Sequence, residues 1–268
     1  MVSNDTGSSR LAKAAPTRSA GLERLRSFAS TGLKSYTERR NYDYGPEDRS
    51  NISALSPWVR RRLISEQEII EKLFKTYSHG TAEKYIQQVI WRTYFKGWLE
   101  QHPTVWTAYH EGVMTGLHEL SSDRSKALLY EKATTGQTGI DCFDSWATEL
   151  MEHSYLHNHA RLWFASIWIF TLKLPWELGA NFFMKYLLDG DPASNTLSWR
   201  WVAGLHTKGK NYLAKSDNID KFSLGRFRME PHLNEVAKPL TELTEHPIQS
   251  LPDLNFFPSD DFLLLVTE

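Results

Sequence analysis

Residues 138–204 read TGIDCFDSWATELMEHSYLHNHARLWFASIWIFTLKLPWELGANFFMKYLLDGDPASNTLSWRWVAG, and this stretch decides the fold. Apolar side chains recur at helical spacing over Ile140 to His153, Asn158 to Lys173, Trp176 to Leu188 and Ser194 to Ala203. Its most apolar run, Leu162 to Leu174, is too short to span a bilayer and contains Lys173, so it reads as a buried helix. Strand signals are absent here, and the spacing predicts an all-α body.

The same periodicity continues outward. Thr104 to Leu120 and Ser125 to Lys132 read as helices, and a longer one is expected from Thr81 to about Gln101, stopped by His102-Pro103. On it Tyr85, Gln88, Trp91, Arg92 and Phe95 fall on one face. Further upstream, Ser65 with Glu68 forms a capping-box pattern opening a helix that carries Ile69, Ile70, Leu73 and Phe74. The polar stretch Asn41 to Ser50 is the kind of loop that can wrap a ligand. Leu22, Leu25, Phe28 and Leu33 predict one more helical segment, after a flexible basic arm over residues 1–20.

The 268 residues, 41% of them apolar, suffice for a sizeable core. The single cysteine, Cys142, excludes an intrachain disulfide and a cysteine-ligated cluster, and fits a reducing, cytoplasmic setting. The net charge of −1 hides a polarity: residues 1–41 hold eight Arg or Lys against three acids, and residues 229–268 hold eight acids against Lys238. Between them, residues 205–228 carry six basic side chains and two acids, a phosphate-binding surface if the charges converge and a solvated face if they do not. The chain divides into the arm, a helical domain over residues 21–228 and an acidic tail over residues 229–268. That tail ends in Asp261 to Glu268, a short apolar run that reads as a strand. Two readings of it stand: a tail packed on the helical body, or the remnant of a longer protein in which an α/β domain follows.

Three local patterns are set aside. Gly204 to Lys210 followed by Asn211 nearly spells a phosphate loop but lacks the Ser/Thr that holds magnesium and follows an aromatic helix. His153 and His157 are a helical turn apart and His159 lies close in sequence, a spacing that can bind a metal, yet nothing further along the chain completes a ligand set. Asp189-Gly190-Asp191 starts like a calcium loop, which Pro192 and Arg200 at the twelfth position contradict. No metal is expected.

Thr138-Gly139 with Asp144, Leu156-His157-Asn158 with Arg161, Trp176, Asp189-Gly190-Asp191, Ala193-Ser194-Asn195 and Trp199-Arg200-Trp201 keep an order and spacing that resemble the flavin-binding domain shared by DNA photolyases and cryptochromes. Upstream, Ser50 to Trp58 is similar to that family's phosphate-binding segment, and Gln88 to Arg92 to its next flavin-contacting helix. The resemblance runs from about Tyr42 to Phe227 and leaves out the α/β antenna domain that such proteins usually carry ahead of this one.

The resemblance implies FAD as cofactor. Ser53 and Ser56, with the backbone at Ala54 and Leu55, would hold its phosphates, with Tyr42 and Arg92 nearby and Tyr85 and Gln88 on the cofactor side. Asn158 and Arg161 would flank the flavin ring, Asp189, Gly190 and Asp191 would receive hydrogen bonds from the cofactor, and Asn195 would face the ring nitrogen protonated on reduction. Trp199 and Trp176 match the proximal and middle members of an electron-carrying chain of indoles. The outermost member is not legible, the corresponding region offering Tyr130 instead.

Trp91 and Trp201, with Asn158, match the walls of a pocket for a flipped-out pyrimidine lesion, or else fill the core. Family members that mend cyclobutane dimers place a glutamate where Gln88 stands, and an amide cannot share a proton with the lesion radical as a carboxyl group does. Two functions therefore remain: a light-driven repair enzyme whose partner is ultraviolet-damaged DNA, and a cryptochrome-like sensor, or a non-catalytic flavoprotein, that signals to a protein partner. Arg60-Arg61-Arg62 and the basic run through Arg228 favour the first, and Gln88 with the acidic tail the second. Neither involves a membrane, and the oligomeric state is not legible.

Overall fold

The computed structural model describes residues 15–228 and 233–251, and among them there is no strand. The helices are α1 (Arg18–Thr31), α2 (Tyr36–Arg39), α3 (Ser56–Arg60), α4 (Glu66–Phe74), α5 (His79–Gln101), α6 (Pro103–Ser122), α7 (Arg124–Thr135), α8 (Asp141–His153), α9 (Asn158–Ser166), α10 (Trp176–Tyr186), α11 (Pro192–Ala203) and α12 (Ser216–Ser223). None is long and apolar enough to cross a membrane.

Local chemistry sets most of the ends. The Ser65–Glu68 capping box opens α4 with both reciprocal bonds formed. Asp123 caps α7, and Asp191 caps α11 ahead of Pro192. The Asp144 carboxylate gathers the Thr138 N–H, the Thr138 hydroxyl and the Gly139 N–H, which ties down the turn before α8. Gly204 ends α11 in the left-handed conformation, φ 85°, that a side chain would strain.

The helix expected over Asn158 to Lys173 is not continuous. α9 stops at Ser166 and the chain continues as a π-helical turn, Ile167–Thr171. Ile167 through Phe170 are all buried, so no polar face marks the change of winding in the sequence. α5 begins at His79, two residues before the expected start, and α10 ends at Tyr186, where Leu187 turns extended and Leu188 N–H bonds to Ser154. α1 begins at Arg18, three residues inside the stretch expected to be a flexible arm.

Two apolar cores result. One, from α1 to α5, is centred on Leu25, Leu33, Ile64, Ile69 and Leu73. The other gathers α6 and α8 to α11 around the fully buried Trp146, Trp163, Trp168 and Trp199, any of which would cost about 3–5 kcal/mol to truncate to alanine. Bonds between the two halves are largely polar: Arg49 pairs with Glu149 in the interior, Arg60 donates to the Gly190 carbonyl across 2.8 Å, and Arg92 pairs with Asp191 at 3.1 Å.

Residues 233–251 lie against the helical body without forming a helix. Leu240 N–H donates to the Ala203 carbonyl at 2.9 Å, Gln249 N–H to the Gln101 carbonyl at 2.8 Å, and Arg200 grips Glu242 with Nη1 and Nη2. This part of the tail is packed on the body; Asp261 to Glu268 lies outside the described residues.

Candidate functional site

A cavity of about 730 Å3 opens where the two cores meet. Four segments far apart in sequence line it: the loop Ser53 to Ser56, one face of α5, Asn158 and Arg161 of α9, and the run from Asp189 to Trp201. Tyr85, Gln88, Trp91, Arg92 and Phe95, expected on one helix face, all reach it.

At its inner end an ion pair is fixed from both sides. Arg161 donates from Nε to the Leu156 carbonyl at 2.9 Å and from Nη2 to Asp189 Oδ2 at 2.8 Å, and the Ser56 hydroxyl donates to the same oxygen at 2.5 Å. Burial opposes the Arg161 charge, but Asp189 and Tyr155 beside it outweigh this and leave its pKa raised. Asp189 Oδ1 is buried without a partner. A carboxylate oxygen kept from water in this way calls for a donor from a ligand. Asn195 is also fixed: its Nδ2 donates to the Ala180 carbonyl at 2.8 Å, which sets the orientation of the amide.

The loop Ser53 to Ser56 carries backbone strain. Ala54 has φ 49°, a conformation that costs a non-glycine residue on the order of 1–3 kcal/mol and clusters at ligand sites. Arg24 Nε donates to the Ser53 carbonyl at 2.7 Å and braces this loop from outside the expected set.

Asp191 and Arg92 line the cavity, but their charges are spent on the protein itself. The Asp191 carboxylate accepts from Ser194 N–H and pairs with Arg92 at 3.1 Å and Lys96 at 3.3 Å, while Arg92 also holds Glu66 at 2.6 Å. Burial works against ionisation of Asp191, yet the Ser194 N–H, Lys96 and Arg92 hold its pKa below the ordinary value. Asp191 thus caps α11 and clamps it to α5 while it lines the cavity.

Tyr42 departs from expectation. It is not among the cavity residues, although Arg40 and Asn41 are; its ring lies 6.1 Å from Tyr44 and 5.1 Å from Phe222, and its carbonyl accepts from Asn51 Nδ2 at 2.7 Å. Trp176 also lies outside the lining, beneath the Arg200 guanidinium at 5.9 Å.

The mouth is aromatic. Trp91 is 49% exposed and Trp201 37% exposed, so neither fills the core, and with Tyr94, Phe95 and His206 they border the opening. Gln88, exposed, stands in the same wall. Of the residues missed by sequence, Tyr94 lies one helical turn after Trp91 and was within reach of periodicity; Tyr155 and His206 carry no local signal. In the basic run, Arg226 turns inward onto Asp43 at 2.6 Å, whereas Lys208 and Lys210, just past the mouth, are exposed. Among the described residues no group of three or more His, Cys, Asp or Glu is placed to hold a metal.

An all-helical domain with an aromatic-rimmed cavity of this size, strained backbone on one wall and an unsatisfied carboxylate oxygen has the room and the unmet acceptor that a large cofactor with hydrogen-bond donors would use. Residues 85–247, more than half of the chain, match the FAD binding domain of DNA photolyase, and the chain belongs to that family.

Two relatives named deoxyribodipyrimidine photo-lyase are each 28% identical, from Agrobacterium fabrum (70% of this chain, 38% of the relative) and Streptomyces griseus (67% and 41%). The chain thus spans about 40% of the length of these relatives. In fold it resembles a bacterial class III photolyase from Agrobacterium tumefaciens, TM-score 0.65 at 24% identity over 83% of this chain and 46% of that one. It also resembles a cryptochrome from Synechocystis, TM-score 0.65 at 22% identity over 77% and 43%.

FAD is the cofactor of this domain. The residues present fit it: Asp189 Oδ1 waits for a donor, Arg161 offers positive charge, and Asn195 presents an oriented amide. When bound, FAD supplies a ring that exchanges single electrons.

Proposed function

We propose that this chain is a light-driven electron-transfer flavoprotein that acts on ultraviolet-damaged DNA. A pyrimidine lesion turned out of the duplex would enter between Trp91 and Trp201 and be held with the help of Asn158 and Gln88, and light-excited, reduced FAD in the cavity would supply the electron. The observation that carries this reading is the exposed aromatic mouth directly over the cofactor cavity, since a flipped base needs stacking surfaces that stay open to solvent until it arrives. Trp199, buried against the cavity, would return electrons to the flavin, and Trp176 would follow it. Lys208 and Lys210 beside the opening would meet phosphate. The protein would work in the cytoplasm, where its lone cysteine stays reduced.

Gln88 supports a second reading. The wall of the mouth carries an amide where cyclobutane-dimer repair is expected to use a carboxyl group, which suits a light sensor that signals to a protein partner. FAD-loaded protein under blue light with a dimer-containing oligonucleotide separates the two. Restored pyrimidines at multiple turnovers establish the enzyme; bleaching of the flavin with no restored bases refutes it and leaves the sensor.

A further inference from the structure

Trp168 has no counterpart in the chain of indoles that the motif positions imply, yet it touches Trp199. The two rings meet edge to face with centroids 6.2 Å apart and planes at 88°. Beyond Trp168, Tyr130 of α7 meets it in the same way, at 5.9 Å and 87°. Trp199 lines the cavity, Trp168 is fully buried, and Tyr130 is half-buried at the surface, so three rings in contact lead from the cofactor site to solvent.

The arrangement is held in place. Gly179 faces both indoles, and a Cβ there would strike Trp199 and lie 2.9 Å from Trp168 Cε2. The Trp168 Nε1–H donates to the Pro175 carbonyl at 2.9 Å, which sets the ring orientation, and the π-helical turn carries the residue. Phe143, Phe164 and Phe182 surround Trp168 with apolar edges and faces. Trp176 is placed differently. Its ring meets Tyr109 at 5.8 Å, and the Arg200 guanidinium over it opposes a positive hole, an effect that Glu242, paired with Arg200, offsets in part.

We propose that Tyr130 and Trp168 form a second electron branch into the flavin site, a reading that rests on light-driven flavin reduction at this cavity. One electron leaves Trp199 for the light-excited flavin, Trp168 refills Trp199, and Tyr130 refills Trp168. The phenolic proton of Tyr130 passes to water in the last step. The balance is one electron gained by the flavin, both indoles restored, and a neutral phenoxyl radical at Tyr130. A phenol suits the outer end because loss of its proton on oxidation hinders the electron's return. Burial keeps the Tyr130 pKa above its ordinary value, so the proton stays in place until the electron departs.

The test is blue-light illumination of the FAD-loaded protein with a nitroso spin trap, followed by peptide mass mapping and electron paramagnetic resonance. The expected result is a trap adduct on Tyr130, lost in Tyr130→Phe and in Trp168→Phe. Tyr130→Phe keeps the ring and its packing, so it stays informative if Trp168→Phe does not fold. Bleaching of the yellow flavin absorbance with the adduct absent, or found only on Tyr109 or Trp106, overturns the branch alone. Absence of any bleaching overturns the branch and light-driven reduction together.

Discussion

Arg161 and Asp189 form a 2.8 Å ion pair that uses only one carboxylate oxygen, and the other, Oδ1, is buried without a partner at the base of the cavity. A hydrogen bond to a charged group contributes about 1.5–3 kcal/mol, so Asp189→Asn is expected to weaken FAD binding about 10- to 100-fold. Titration of apoprotein with FAD, followed by flavin fluorescence, measures it. Unchanged affinity would remove Oδ1 as the anchor.

Trp199 is the indole that lines the cavity. Trp199→Phe is expected to slow flavin photoreduction by about tenfold or more, equivalent to at least about 1.4 kcal/mol of barrier. Stopped illumination with absorbance detection reads the rate. Wild-type kinetics in a well-folded variant would mean that electrons enter by another path.

Gln88 lines the mouth and is exposed, so a carboxyl group fits in its place without repacking. Gln88→Glu is expected to raise repair of cyclobutane dimers by about a hundredfold, the lower end for a positioned proton donor. If the folded, FAD-loaded variant repairs no better, the departure of this mouth from dimer chemistry is not confined to one side chain.

A Cβ at position 179 would collide with Trp199 and Trp168. Overpacking of this kind costs about 1–3 kcal/mol, so Gly179→Ala should lower the melting temperature and alter tryptophan fluorescence together. An unshifted melting curve would show that the two indoles have room to separate.

His157 is buried, its Nδ1 accepts from the His159 N–H, and burial lowers its pKa to about 4. A folded-state pKa below the unfolded value means that the folded state binds fewer protons, so this residue's contribution is present above about pH 6.5 and is lost as pH falls towards 4. At about 1.4 kcal/mol per unit the contribution is about 3 kcal/mol. Glu149 acts the other way: burial raises its pKa to about 7, and its effect is lost as pH rises. The difference in melting temperature between pH 7 and pH 5 should therefore shrink in His157→Gln. An unchanged difference would assign the acid sensitivity elsewhere.

The helices and most of the cavity lining were legible because they rest on local rules. Periodicity placed Tyr85, Gln88, Trp91, Arg92 and Phe95 on one face, and capping chemistry marked α4 at Ser65. The motifs brought Ser56, Arg161, Asp189, Asn195 and Trp199 to one site. What escaped was long-range. Nothing near Asp191 says that Arg92 and Lys96 will pair with it, and nothing near Tyr42 says that its ring will pack on Phe222. Trp168 was hidden because an apolar run with no polar face gives the same pattern for an α turn and a π turn.

The cavity falls on the boundary between the two apolar clusters, and much of what joins them elsewhere is charge and hydrogen bonding. Loading the nucleotide would therefore join two separate interiors into one. Calorimetry of the empty chain should resolve two overlapping melting events that merge on cofactor addition, so that holoprotein cooperativity is a property of the complex rather than of the polypeptide.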